Sequence, residues 1–276
     1  MRIGLVVHPD RPEAARIASS VAASAARHGL EIVARAADAE RVPGAEHSGD
    51  GLEGCDVVVA VGGDGTMLEA VRIAVHGDTP VLGVNAGHVG FLAEIEPGRV
   101  DAAVAALAAG DYAESRRMTL QAAVNDGEPV IGLNDVVVEK SVSQHILRIA
   151  VSVGEERLVG YRSDAVIVAT PTGSTAYTFS AGGPLVDPEL EALVVSAVAP
   201  HNLFGRPIVF RPGARLRLVV EGERSGRVNV DGRPLATVDP GDVITVVRGE
   251  PSARFIRLNP RHFAAVVREK FRLHDA

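Results

Sequence analysis

The chain has 276 residues, 46% hydrophobic and 23% charged, enough to bury one large or two medium cores, which excludes a disordered chain. A net charge of −7 argues against a nucleic-acid partner, so any anionic ligand must be met by a few local basic residues. The single cysteine, Cys55, excludes an internal disulfide and a sulfur metal site, and its place before an apolar run makes it a packing residue. The sequence enters a strand at once, without a signal peptide, and no apolar run approaches membrane-spanning length. A cytoplasmic protein with no membrane partner is expected.

The first segment reads as alternating strands and helices. Ile3 to Val7 is a strand; Pro12 to Arg27 is a helix with Asp10 as candidate cap, Ile17 and Val21 on its inner face and Gly29 as its stop. Leu30 to Ala34 returns as a strand, and the turn-rich stretch from Ala36 to Gly54 reads as a flexible loop. Val57 to Val61 is continuously apolar and β-branched, as in a parallel strand buried on both faces, and Met67 to Val75 follows with helical spacing. Pro80 to Val84 leads into a second glycine-punctuated turn, Asn85 to Leu92, predicted to share one edge with the first, and Val100 to Ala109 is a helix ended by Gly110.

After Glu114 the period changes. Short β-type runs follow: Met118 to Val124, Val130 to Val138, Ile146 to Val153, Val166 to Thr170, Leu193 to Val198, Arg215 to Val220, Val228 to Val230 and Val243 to Val247. Turn signals at Asn125-Asp126-Gly127 and Asp231-Gly232 separate some of them. This predicts an α/β domain with a parallel sheet over residues 1–114 and an all-β sandwich over 115–258. A terminal helix, Arg261 to Leu273 within residues 259–276, would return to the first domain.

Two stretches carry candidate chemistry. Gly62-Gly63-Asp64-Gly65-Thr66 joins the buried strand to the next helix, where glycines let phosphates approach the backbone and helix amides favour negative charge. Its spacing is neither the dinucleotide fingerprint nor a glycine-rich loop ending in Lys-Ser or Lys-Thr. Asp64 is the odd residue there: beside a phosphate site a carboxylate holds a metal, takes a proton or caps the helix. In the second stretch, Thr170, Thr172, Ser174, Thr175, Thr178 and Ser180 crowd a turn able to hydrogen-bond a sugar or phosphate, though such runs are often surface turns. Arg162 and Asp164, one residue apart, would leave the same face of an extended segment, as dinucleotide contacts or as a surface ion pair.

The loop Gly62-Gly-Asp-Gly-Thr66 resembles the phosphate loop of NAD kinases, diacylglycerol and sphingosine kinases and, more distantly, phosphofructokinases. Ala169-Thr-Pro-Thr-Gly-Ser-Thr-Ala-Tyr177 with Ser180-Ala-Gly-Gly-Pro184 is similar to the signature of NAD kinases. Asn85-Ala-Gly87, Gly90-Phe-Leu-Ala-Glu94, Asn134-Asp135, Pro200-His201 and Arg206-Pro207 look like further segments of that family. Ala165 stands where the family's Arg-x-Asp-Gly has glycine, and His88 and Val89 alter the second turn.

The resemblance implies transfer of the terminal phosphoryl group of ATP, with a divalent metal, expected to be Mg2+, to the adenosine ribose 2′-hydroxyl of NAD. It puts the site in the crevice between the domains. Asp64 would be the general base, with Gly62, Gly63, Gly65 and Thr66 as phosphate loop. Asn134, Asp135, His145, Arg162, Asp164, Thr172, Thr175, Ala176, Tyr177, Thr178, Phe179 and Ser180 would hold substrate, and Arg233 its rim. The metal ligands are not identified, and a homodimer or homotetramer is expected. A lipid kinase on the same scaffold and a non-catalytic dinucleotide sensor are the alternatives.

Overall fold

A computed structural model describes every residue except 43, 50, 88–89, 259–261 and 274–276. The chain forms two compact units, one of Met1–Arg116 with the chain from Ala253 onward and one of Arg117–Ser252. Among the described residues no helix is long and apolar enough to cross a membrane.

The first unit contains β1 (Arg2–Val7), α1 (Pro12–Arg27), β2 (Glu31–Arg35), β3 (Glu46–Ser48), β4 (Val57–Gly62), α2 (Asp64–Ala74), β5 (Val81–Asn85) and α3 (Val100–Ala109). Its strands are parallel in the order β5-β4-β1-β2-β3. All six residues of β4 are buried, because both sheet faces are covered. Ile3, Leu5, Val7, Val57, Val59 and Val61 share one core with Ile17 and Val21 of α1 and Val104 and Leu107 of α3. On the opposite face Ala60 lies beside Gly83, and a Cβ on Gly83 would meet the Met67 sulfur of α2 at 2.6 Å. Each such buried Leu, Ile or Val contributes about 1.5–3 kcal/mol relative to exposure.

Two expectations for this unit need correction. Asp10 does not cap α1: Arg11 occupies the cap position with no side-chain bond, and the Asp10 amide donates to His8 Nδ1 at 3.1 Å. The stretch from Ala36 to Gly54 is more ordered than its composition predicts, with a 3-10 turn over Ala36–Arg41 and the strand β3. Its anchor is Asp38, 1% exposed, which accepts the Val7 amide at 3.1 Å and Arg35 Nε at 2.7 Å. Pro43, part of that loop, lies outside the described residues.

The chain enters the second unit along β6 (Ala113–Val124) and continues through β7 (Val130–Gly132), β8 (Asp135–Lys140), β9 (Leu147–Val153), β10 (Glu156–Ser163) and β11 (Ala165–Ala169). A short helix, α4 (Tyr177–Ser180), precedes β12 (Leu193–Val198), β13 (Ile208–Phe210), β14 (Leu216–Glu221), β15 (Gly226–Val230), β16 (Arg233–Val238) and β17 (Val243–Arg257). One antiparallel sheet runs β10-β9-β14-β17, with β6 on β17 and β7 on β6; the other runs β13-β12-β11-β8-β15-β16. Ile149, Val151, Leu216, Leu218 and Ile244 of the first sheet share a core with Val136, Val138, Val166, Val168 and Val228 of the second. This is a β-sandwich.

The expected run from Val130 to Val138 is two strands, broken at Leu133 and Asn134 because those amides turn to the Asp231 carboxylate. After β17, whose Phe255 pairs with Val81 of β5, comes α5 (Phe263–Lys270). The helix is shorter than expected, and Arg261 lies outside the described residues. At its end the Phe271 ring lies 6.0 Å from that of Phe91, with Lys270 Nζ 5.6 Å from the Phe91 centroid.

Candidate active site

In the first unit the functional edge is where parallel strands end. Val61 accepts the His8 amide at 2.9 Å, and Gly62 accepts the Ala86 amide at 3.1 Å, so the segments following β1, β4 and β5 are tied side by side. The two glycine turns therefore share one edge, as their sequence predicts. A Cβ on Gly62 would collide with the Thr66 side chain, whereas one on Gly63 or Gly65 meets nothing within 4 Å. Packing thus demands the first glycine only. The other two leave open backbone at the start of α2, where helix amides favour negative charge.

Asp64 sits in the first turn of α2, yet it does not cap the helix; the cap position is Gly63, without a side-chain bond. Its Oδ2 accepts the Phe91 amide at 3.0 Å and its Oδ1 the Leu92 amide at 3.1 Å. Both oxygens are thereby oriented, and each keeps lone-pair capacity for a further donor. The carboxylate fills the space that a side chain on Gly90 would take. His88 and Val89, the departures in this turn, lie outside the described residues.

In the second unit three strand ends converge. Asp135 opens β8, where it pairs with Ala169 at the end of β11, and β15 ends beside it at Val230 and Asp231. Asp231 Oδ2 accepts the Leu133 amide at 2.7 Å, and Oδ1 accepts those of Asn134 and Asp135 at 2.7 and 3.1 Å. From the other side Thr170 donates its amide to the Asn134 carbonyl at 2.9 Å and its hydroxyl to the Leu133 carbonyl at 2.5 Å. Gly173 packs so closely on the Asn134 carbonyl that a Cβ would collide with it. The Asn134-Asp135 corner is clamped on both sides.

Burial and the neighbouring Asp231 charge push the Asp135 carboxyl, 5% exposed, up to about 7. Burial also pushes Asp231 upward, but its three amide bonds pull it back, so the proton of this pair belongs on Asp135. The sequence marks Asp231 only as the first residue of an Asp-Gly turn, a pair suited to its positive φ of 49°, and no local pattern points to the three amides it accepts.

The hydroxyl-rich turn is partly self-satisfied. Thr170 serves the Asn134 corner, Ser174 Oγ exchanges bonds with the Val186 backbone at 3.0 and 3.2 Å, and Thr175 Oγ1 donates to the Thr172 carbonyl at 3.2 Å. Thr172 and Thr178 are buried with orphaned hydroxyls. Tyr177 and Phe179 are both 41% exposed, Ser180 is exposed, and Ala176 is half-buried. Burial, and then the charges of Glu139, Asp164 and Asp135, push the Tyr177 hydroxyl upward.

Arg162 and Asp164 do not pair with each other. Asp164 occupies the step between β10 and β11 and accepts Lys140 Nζ at 2.5 Å. Arg162, directly opposite Arg148 on β9, lines a cleft with Arg148, Arg224 and Ile146. The strands belong to different sheets, so the alternation of a single extended segment does not apply. His145 is exposed on the turn between β8 and β9. Ala165 opens β11 buried and without positive φ, so the missing glycine costs no backbone strain. Arg233 opens β16, next to the Asp231-Gly232 turn.

Among the described residues no three His, Cys, Asp or Glu side chains gather as a metal cage. Mg2+ is usually held by one or two carboxylates together with substrate phosphates and water. A metal carried on phosphates needs no such cage, and the carboxylate at the glycine turn is Asp64.

The chain thus carries an α/β unit with an open glycine turn and an oriented carboxylate, followed by a β-sandwich with a buried acid and a clamped polar corner. Residues 3–112 match the ATP-NAD kinase N-terminal domain and residues 133–258 the ATP-NAD kinase C-terminal domain. The chain belongs to the ATP-NAD kinase family. It is 38% identical over 276 residues to an NAD kinase of Heliobacterium modesticaldum, covering 97% of each chain. It is 36% identical over 274 residues to one of Methanothermobacter thermautotrophicus, covering 98% of this chain and 96% of that protein. Among solved structures, an Archaeoglobus fulgidus NAD kinase in complex with ATP superimposes with a TM-score of 0.75 at 27% identity, covering 94% of each chain. Yeast NADH kinase complexed with NADH shares the fold with a TM-score of 0.89 at 21% identity, covering 100% of this chain and 89% of that one.

Proposed function

We infer that this protein transfers the terminal phosphoryl group of ATP to the 2′-hydroxyl of the adenosine ribose of NAD, giving NADP. The observation that carries the reading is the Asp64 carboxylate, oriented by two backbone amides beside an open glycine turn, in a chain whose two units both match the ATP-NAD kinase family. The solved relative with ATP supports ATP as donor.

A ribose hydroxyl is a poor nucleophile at neutral pH, so proton acceptance as the phosphorus bond forms lowers the barrier. Asp64 takes that proton: two amide donors fix its position and leave lone pairs for the hydroxyl. The open amides of Gly63 and Gly65 receive phosphate oxygens, with Gly62 and Thr66 shaping the turn. A divalent ion, which we take to be Mg2+, arrives on the ATP phosphates and offsets their charge. Asn134 and Asp135 hold the ribose or adenine edge of the dinucleotide, Asp135 accepting from hydroxyls or an amino group. Thr172, Thr175, Ala176, Thr178 and Ser180 shape its surroundings, Tyr177 and Phe179 offer exposed rings for stacking, and His145, Arg162, Asp164 and Arg233 contribute polar contacts. The α/β domain is the phosphate-handling part and the sandwich the dinucleotide-binding part. A homo-oligomer in the cytoplasm completes this proposal.

The test is NADP formation by purified protein with NAD, ATP and magnesium. Asp64→Asn is expected to lower turnover by roughly 10² to 10⁴ while NAD binding persists. Near-normal turnover in that variant would remove Asp64 from the role of base.

A further inference from the structure

The glycine turn at Gly62–Thr66 has no lysine of its own, and its one charged side chain is a carboxylate. Phosphoryl transfer nevertheless concentrates negative charge on the transferred group, and cations or donors must meet it. Beside a metal carried on the phosphates, a side-chain cation for that charge would come from elsewhere on the same edge. Of the arginines of this unit, Arg35 is neutralised by Asp38 and Glu69, and Arg257 by Glu94. Arg11 has no carboxylate partner among the described residues. Its Nη1 donates to the Ala86 carbonyl at 3.1 Å.

Ala86 is the link. Its amide donates to the Gly62 carbonyl at 3.1 Å and its own carbonyl accepts Arg11, so a single residue links the guanidinium to the glycine turn. Gly87, with φ of 143°, leaves room for it: a Cβ there would lie 2.9 Å from Arg11 Nη1. The segment carrying Arg11 follows β1, which is the direct parallel neighbour of β4. One of the five guanidinium N–H groups is spent on Ala86, and the others remain to be shared with oxygen acceptors in a planar fork.

We propose that Arg11 binds the terminal phosphates of the phosphoryl donor, supplying from the β1–α1 segment the positive charge that the glycine turn lacks. This deepens the kinase reading and rests on it. In that role Arg11 holds phosphate oxygens through charge-assisted bonds, strongest where charge accumulates during transfer. No bond to Arg11 forms or breaks in the reaction.

The experiment compares whole protein with Arg11→Gln and Arg11→Lys, and with Arg16→Gln, which removes the same charge from the exposed face of α1 where Arg16 pairs with Glu13. Arg11→Gln is expected to lower kcat/KM for ATP by about 30- to 300-fold while KM for NAD changes less than about threefold. Arg11→Lys should recover about tenfold of that loss, because the charge returns without the fork. Arg16→Gln should match wild type. Inorganic tripolyphosphate, which has the phosphates without the base, should bind wild type in a direct binding measurement and lose that binding in Arg11→Gln. Unchanged ATP parameters in Arg11→Gln would overturn the proposal. So would a parallel rise in both KM values with no rescue by lysine, the signature of a purely structural bond to Ala86. If Arg11→Gln does not fold, Arg11→Lys decides the matter by the same split between ATP and NAD. If wild type makes no NADP, the kinase reading fails, and tripolyphosphate binding still decides for or against Arg11.

Discussion

The carboxylate of Asp64 occupies the space in which residue 90 would carry a side chain, so Gly90 is glycine because Asp64 lies against it. The two amides that follow, Phe91 and Leu92, hold the same carboxylate. Gly90→Ala must displace Asp64 or the turn. Turnover is expected to fall by about 10² or more, as a misplacement near 1 Å can cost, with thermal unfolding little changed. Steady-state kinetics beside calorimetry check this, and wild-type turnover would show that the two residues are not coupled.

Phe91 is held from behind by the Phe271 ring at the end of α5. Phe271→Ala removes that contact without touching Asp64. It is expected to cost about 1 kcal/mol of ring interaction and a severalfold loss in kcat with KM for NAD nearly constant. A variant that changes only KM for NAD would assign α5 a different task.

Asp231 accepts three amides at the Asn134-Asp135 corner. Asp231→Ala leaves three donors unpaired and should destabilise the protein by about 2–4 kcal/mol. The same variant should raise KM for NAD more than KM for ATP, because the corner loses its position. Equal effects on both substrates would contradict its assignment to the dinucleotide.

The upward shift of Asp135 to about 7 has a definite sign. The folded state holds this proton more tightly than the unfolded chain, whose aspartates titrate near 4. The stabilisation is therefore fully present below about pH 4 and is lost as pH rises through about 7, by up to about 4 kcal/mol. Asp135→Asn should flatten this part of the pH profile in urea unfolding. A dinucleotide that donates a hydrogen bond to the ionised carboxylate should expel the proton, so NAD binding near pH 7 should release a fraction of a proton. Calorimetry in buffers of different ionisation enthalpy reads this directly, and proton uptake would reverse the sign.

The parts of the fold visible in the sequence are those written in local periodicity. The β4–α2 junction, α1 and β12 follow from apolar runs and their punctuation, and β12 spans Leu193–Val198 as expected. β10 was hidden because its exposed residues, Glu156, Arg157 and Arg162, break the apolar pattern, and β16 because Pro234 and polar neighbours suit an edge strand. The break before β8 depends on Asp231, almost a hundred residues later, and no local pattern carries such a bond. For the same reason Asp64, the glycines and the hydroxyl-rich turn were legible as candidates, while Asp231 and Arg11 emerged only when strand ends came together.

The measurement closest to the central claim is transfer of labelled terminal phosphate from ATP. Wild-type protein is offered NAD and a 2′-deoxy analogue lacking the adenosine ribose hydroxyl, and Asp64→Asn is run beside it. Label is expected on NAD and not on the analogue, with modestly weaker binding of the analogue, by about 1–3 kcal/mol for a charged acceptor left without its partner. Label on both acceptors would place the chemistry on another hydroxyl, and label on neither with wild-type protein would contradict the kinase itself.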